Sequence, residues 1–208
     1  MMSFGIRTTR LLAIAYAISA LIIAPSVFAA EVGGIKFNDT VKVANQELKL
    51  NGAGIRYKAI FKVYAMGLYL KDKKTTSAEI LAAPGAKRIQ IVMMRDVSAD
   101  EFGQSFMAGI QKNSEKAEKA KLVNQFLKFG QLFASVPELK KGDVLMNDWI
   151  PGSGTHIFLN GKEISETIPD AAFYNVLLKI WLGEYPADSR LKKALLGDAE
   201  EAPRTNSY

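Results

Sequence analysis

Hydrophobic and polar positions along the chain follow three periods in turn. Residues 31–49 alternate in short runs, GIKF, VKVA and LKL, with a turn at Asn38-Asp39. Gln46–Tyr57 and Ile60–Leu70 predict two long strands that reverse near Lys58-Ala59. A charged loop over 71–74, a short helix over 77–83 closed by Pro84-Gly85, and a strand over 87–95 follow. The period then lengthens. Ser98 with Glu101 three residues on has the form of a capping box, and Phe102, Phe106 and Ile110 recur every four residues on one helix face. After a break at Asn113-Ser114, one helix is expected from Glu115, with Leu122, Phe126, Phe129 and Phe133 as its stripe, ending at Val136-Pro137.

Beyond Gly142 alternation returns. Strands are predicted over 143–150, 155–160 and 162–166, with PGSG and Asn160-Gly161 as the reversals. Pro169-Asp170 opens a helix bearing Phe173, Val176, Leu177, Ile180 and Trp181 on one side, with Gly183 as a C-cap, and a last helix runs over 188–196. Strands, helices, strands and helices in that order predict an α+β fold: a large antiparallel sheet covered on one face by a helical layer.

The first 29 residues have a different character. Arg7 and Arg10 precede an apolar run over 11–24, and Val27 and Ala29 suit the −3 and −1 sites of a signal peptidase. Residues 1–29 are therefore expected to be a secretory signal peptide. The run is shorter than the roughly 20 residues that span a bilayer, so no membrane span is expected after cleavage, and the mature protein is expected in the periplasm. Residues 30–197 form the expected domain and 198–208 a disordered tail. Removal of the two arginines lowers the formal charge from +6 to +4. That excess lacks the basic, aromatic-interleaved runs of a nucleic-acid binder. A monomer is expected.

Composition removes several chemistries. There is no cysteine, so thiolate nucleophiles, disulfides and lipoprotein attachment are excluded. The one histidine, His156, lies in a hairpin strand without a serine in a nucleophile-elbow context, and reads as a packed or surface residue. One histidine does not make a multi-histidine metal site, and no cofactor is called for. Asp148, beside Trp149, reads as a solvated edge residue.

What remains is Arg56, a permanent cation inside a strand of core-like residues. It answers to three arrangements: solvent, a fixed internal acid, or an anionic guest. Tyr64 likewise reads either as core or as part of a site.

Gly52-Ala-Gly54-Ile-Arg56, followed by FKVYAMGLY over 61–69, resembles the chalcone isomerase family, where a strand of form G-x-G-x-R leads into a second strand ending in a glycine and a tyrosine. LLKIWLGEYPADSRLKKALLG over 177–197 is similar to the ending of the signal-peptide-bearing bacterial branch, and the resemblance runs from Phe37 to Gly197. It implies an open-faced sandwich with a ligand cleft between sheet and helices. In that setting Arg56 would hold an acidic head group, Tyr64 would assist, and Met66, Leu68, Phe102 and Phe106 would line the cleft. The resemblance implies that Tyr64 replaces the threonine of the enzymes and Phe102 their tyrosine, so no catalytic residue is assigned. Losing one polarising donor costs about 2.7–4 kcal/mol in electrostatic catalysis. The first expectation is thus a non-catalytic binder of an apolar carboxylate such as a fatty acid. The alternatives are an isomerase or intramolecular lyase acting on a chalcone-like conjugated ketone (enone) or acid, and an envelope interaction protein with a vestigial cleft.

Overall fold

The computed structural model describes residues 30–134 and 136–198. The signal-peptide reading and most of the tail lie outside them. The described residues form β1 (Ala30–Val32), β2 (Ile35–Phe37), β3 (Thr40–Val43), β4 (Gln46–Lys58), β5 (Phe61–Leu70), α1 (Ser77–Ala82), β6 (Lys87–Met93), β7 (Val97–Ser98) and α2 (Ala99–Asn113). Then come α3 (Lys116–Lys121), α4 (Val123–Ala134), β8 (Glu138–Leu139), β9 (Val144–Ile150), β10 (Gly154–Leu159), β11 (Lys162–Glu163), α5 (Ala171–Leu182) and α6 (Ser189–Leu195).

Seven strands make one antiparallel sheet in the order β11-β10-β9-β6-β5-β4-β3. β5 lies near its centre and is buried from Val63 to Leu70. Its even-numbered residues, Tyr64, Met66 and Leu68, join the core shared with the helices, where Phe102, Phe106, Phe129, Phe173 and Trp181 also pack. The helices are needed there because this face is a continuous apolar surface that water would otherwise cover. The opposite face carries a smaller core, in which Phe37, Leu48, Leu50, Ala65 and Tyr69 pack with Ala30, Val32 and Ile35 of the β1–β2 hairpin. That hairpin and a second two-stranded pair, β7–β8, accompany the main sheet.

Three local expectations are corrected. The helix expected from Glu115 is two, because Leu122 leaves helical geometry and its N–H turns back to Lys119 O. Ser98 caps α2 through the Glu101 N–H, but the Glu101 carboxylate goes to Lys58 at 2.9 Å, so only half of the box forms. The complete capping box is Thr76 with Glu79, at the start of α1. Asp148 is buried, since β9 is an interior strand, and Arg88 across the ladder neutralises it with two hydrogen bonds of 2.6 and 2.5 Å.

α6 lies directly over β4, and the two glycines of the G-x-G-x-R segment permit this. A Cβ at Gly52 would overlap the Ala194 carbonyl oxygen, and one at Gly54 would come within 2.7 Å of the Ala194 methyl. Gly183 ends α5 in extended geometry and not left-handed. Its lack of a Cβ matters because Asn113 Oδ1 occupies that space.

Candidate functional site

Arg56 is paired with Tyr64 across the β4–β5 ladder, and Gly54 and Arg56 share the face that looks toward the helices. The Arg56 guanidinium carbon sits 5.6 Å from the centroid of the Tyr64 ring. The arginine is half-buried, and its Nε is enclosed without a hydrogen-bond partner. None of the ion pairs among the described residues includes it. Of the three arrangements open to this cation, capture by an internal acid is absent here, and solvent is shut off from Nε while the residue as a whole stays partly exposed.

Two acids stand in its neighbourhood, and each is committed elsewhere. Glu101 bonds to Lys58; that hydrogen bond first, and the charges of Lys58, Arg95 and Arg56 after it, hold the Glu101 carboxyl below its usual range. Asp188 is the N-cap of α6 and accepts the Tyr57 N–H at 2.9 Å and the Arg190 guanidinium at 3.2 Å. Burial pushes the Asp188 carboxyl up, but the hydrogen bonds from Tyr57 and Arg190 outweigh it and leave the pKa below the ordinary carboxylate value. Arg190 also covers the Tyr57 ring at 4.4 Å.

Tyr64 is 2% exposed, and its hydroxyl oxygen accepts the Trp181 indole N–H at 2.8 Å. No other partner engages that hydroxyl among the described residues, so its own proton is not donated. Burial raises its pKa to about 12, against a smaller opposing effect of the Arg56 charge. Tyr64 is therefore a neutral donor at any physiological pH. The site presents two donors on one face, a guanidinium and a phenol O–H, with no protein acceptor for either.

The apolar positions expected around a cleft come together, but they fill the space. Met66, Leu68, Phe102 and Phe106 are all buried. The Phe102 ring meets Tyr64 edge-on at 6.1 Å and Phe106 at 4.7 Å, and Phe106 stacks on Phe129 at 5.8 Å. Beside this cluster, a recess of about 280 Å³ opens between α2 and α4, lined by Asp100, Gly103, Gln104, Met107, Phe129, Gly130 and Phe133. Trp181, Asp188 and Arg190 were not among the sequence-based candidates. The rule that a buried indole N–H finds a partner could have pointed to Trp181, and the Asp-Ser-Arg opening of α6 could have marked the cap.

His156 belongs to a separate polar cluster. Its Nε2 is 2.8 Å from Ser153 Oγ and its Nδ1 is 2.7 Å from Glu163 Oε1. This is the connectivity of a serine relay. Ser153, however, lies exposed in the β9–β10 reversal with its own N–H bonded to Ile150 O, unlike a nucleophile at the elbow before a helix. Among the described residues no group of three or more acids and histidines is placed to hold a metal ion.

Comparison with known proteins bears on this geometry. A search of curated proteins found no match. Among solved structures, a fatty-acid binding protein of Arabidopsis thaliana shares the fold, with a TM-score of 0.61, 15% sequence identity, and coverage of 84% of this chain and 95% of that one. At that identity the likeness concerns the fold alone. A family profile described as chalcone isomerase-like matches residues 29–197. The chain, with its G-x-G-x-R strand under α6 and its helix-covered antiparallel sheet, belongs to the chalcone isomerase-like family.

Proposed function

We propose that this protein binds an apolar carboxylate, such as a long-chain fatty acid, without transforming it. One observation carries the reading: Arg56 Nε is enclosed with no acceptor, beside a Tyr64 hydroxyl whose proton is also unclaimed. Buried donors without acceptors are costly. A carboxylate placed between them satisfies both, taking a charge-assisted bond from the guanidinium and a neutral one from the phenol. The phenylalanine cluster beside Tyr64 supplies an apolar path for the tail toward the recess between α2 and α4. Entry of the tail requires those rings to part, so binding is accompanied by movement of α4 relative to α2.

The fold likeness to a fatty-acid binding protein supports this choice of guest. The isomerase reading gains less. Phe102 offers no hydroxyl at the position the resemblance gives to a catalytic tyrosine. A phenol with a pKa of about 12 also has little driving force as a general acid near neutrality. We place the protein in the periplasm, after removal of residues 1–29.

Native mass spectrometry of protein expressed from the full chain and recovered from the cell envelope tests both parts. The expected result is a chain beginning at Ala30 that carries an extra mass equal to a fatty acid, lost in Arg56→Ala. Recovery of ligand-free parent, or equal ligand on parent and variant, would refute the binding role.

A further inference from the structure

The tip of the β4–β5 ribbon bears two large apolar side chains that nothing covers. Ile60, in the turn between β4 and β5, is 84% exposed, and Phe61, the first residue of β5, is 57% exposed. Ala59, at φ 55, makes the reversal and thrusts them outward. Cations surround them: Lys58 and Lys62 flank the pair in sequence, and both are exposed. The Arg95 guanidinium lies 5.5 Å from the Phe61 ring centroid. Arg56 lies two residues behind Lys58 on the same strand. The acids nearby are Glu101, paired with Lys58, and Asp96, which follows Arg95 and accepts the Lys141 N–H. The collar is positive on balance.

We infer that this hairpin tip docks on an anionic phospholipid bilayer, with Ile60 and Phe61 inserted at the headgroup boundary and Lys62 and Arg95 on lipid phosphates. Apolar wedges ringed by basic side chains hold proteins at that interface. The size of the patch favours a bilayer over a protein partner. Two large side chains offer on the order of 300–500 Å², below the roughly 800 Å² that each partner of a standard protein interface contributes. A bilayer accepts a wedge of any size and contributes headgroup charge around it. Behind the tip the ribbon is held in place, because Asp188 at the start of α6 accepts the Tyr57 N–H and β6 pairs β5 from Tyr64 onward. Docking would therefore set Arg56, about 10–15 Å along the strand from the tip at the usual rise, close to the membrane surface.

The inference rests on the hairpin and not on the ligand reading, and vesicles free of fatty acid keep the two apart. Phe61→Trp places an indole at the tip, and its emission is compared with that of the parent, whose own tryptophans are Trp149 and Trp181. Vesicles of phosphatidylcholine with about one-third phosphatidylglycerol, and their brominated counterparts, are the probe. The expected result is a blue shift and quenching of the added indole on anionic vesicles. Ile60→Ser in that background should weaken the effect at least tenfold. Lys62→Glu with Arg95→Glu should abolish the preference for anionic over neutral vesicles. An indole that stays unshifted and unquenched would overturn the inference. So would sedimentation showing a parent dimer that Ile60→Ser/Phe61→Ser dissociates, because the tip would then be a contact between copies of the chain.

Discussion

Trp181 Nε1 donates to the Tyr64 hydroxyl at 2.8 Å across the sheet–helix interface. This bond fixes the phenol oxygen as an acceptor from the α5 side and leaves its proton to point elsewhere. Tyr64→Phe should accordingly act twice. It strands a buried indole N–H, lowering stability by about 1–3 kcal/mol. It also removes one donor from the site, weakening carboxylate binding by roughly three- to tenfold, the worth of one neutral hydrogen bond. Denaturant unfolding and ligand titration on the same variant separate the two effects. A variant of parental stability would mean that this bond contributes nothing.

Burial raises both Tyr64 and Tyr69 to about 12. A folded-state pKa above the unfolded value of about 10 stabilises the fold fully below pH 10. That contribution fades as pH rises from 10 toward 12, because only the unfolded chain then loses its protons readily. Stability should thus be flat with respect to these groups at neutral pH and fall steeply in that alkaline window. Tyr64→Phe should fall less steeply. Parallel pH profiles of parent and variant in denaturant melts would refute the assignment.

Asp188 gives the opposite limb. Its folded-state pKa is depressed, so its contribution is present above the ordinary value of about 3.9 and is lost as pH drops through the lower folded value. Asp188→Asn keeps a capping oxygen, so at pH 7 it should cost only the charge-assisted part of the bonds from Tyr57 and Arg190, about 1 kcal/mol. The gap to the parent should narrow below about pH 4. A gap constant from pH 7 to pH 2 would show that the carboxylate charge has no part in holding α6.

Gly52→Ala should be destabilising by more than the about 1–3 kcal/mol typical of overpacking. The added methyl meets backbone, the Ala194 carbonyl, and not a side chain that can swing away. Gly54→Ala meets the Ala194 and Leu191 side chains and should cost less. Thermal melts that rank the two in reverse would contradict the close approach of α6 to β4.

The order of strands and helices was legible because hydrophobic period reports which face an element buries. Long elements with clean periods, β4, β5, α2 and α5, appear where expected. The discrepancies arise where a distant partner decides. Glu101 looked like half of a capping box until Lys58, 43 residues away in sequence, took its carboxylate. Asp148 looked like an edge residue because its counter-ion, Arg88, lies 60 residues away. Arg56 was legible as an anomaly from composition alone, but its lack of an acceptor was not. That property depends on Asp188 and Glu101 both being committed to other cations, which no local pattern records. The hidden role of Trp181 has the same origin, since its partner is 117 residues distant.

The central claim concerns Arg56, and Arg56→Met tests it most directly. Replacing an unpaired, half-buried cation with an apolar chain of similar length should leave stability equal or slightly higher, so lost binding cannot be ascribed to unfolding. Titration of parent and variant with a long-chain fatty acid, and with the alcohol of the same chain length, is the measurement. The expected result is at least tenfold weaker binding of the acid by the variant, with the alcohol bound weakly and alike by both. Equal affinity of parent and Arg56→Met for the acid would contradict the account.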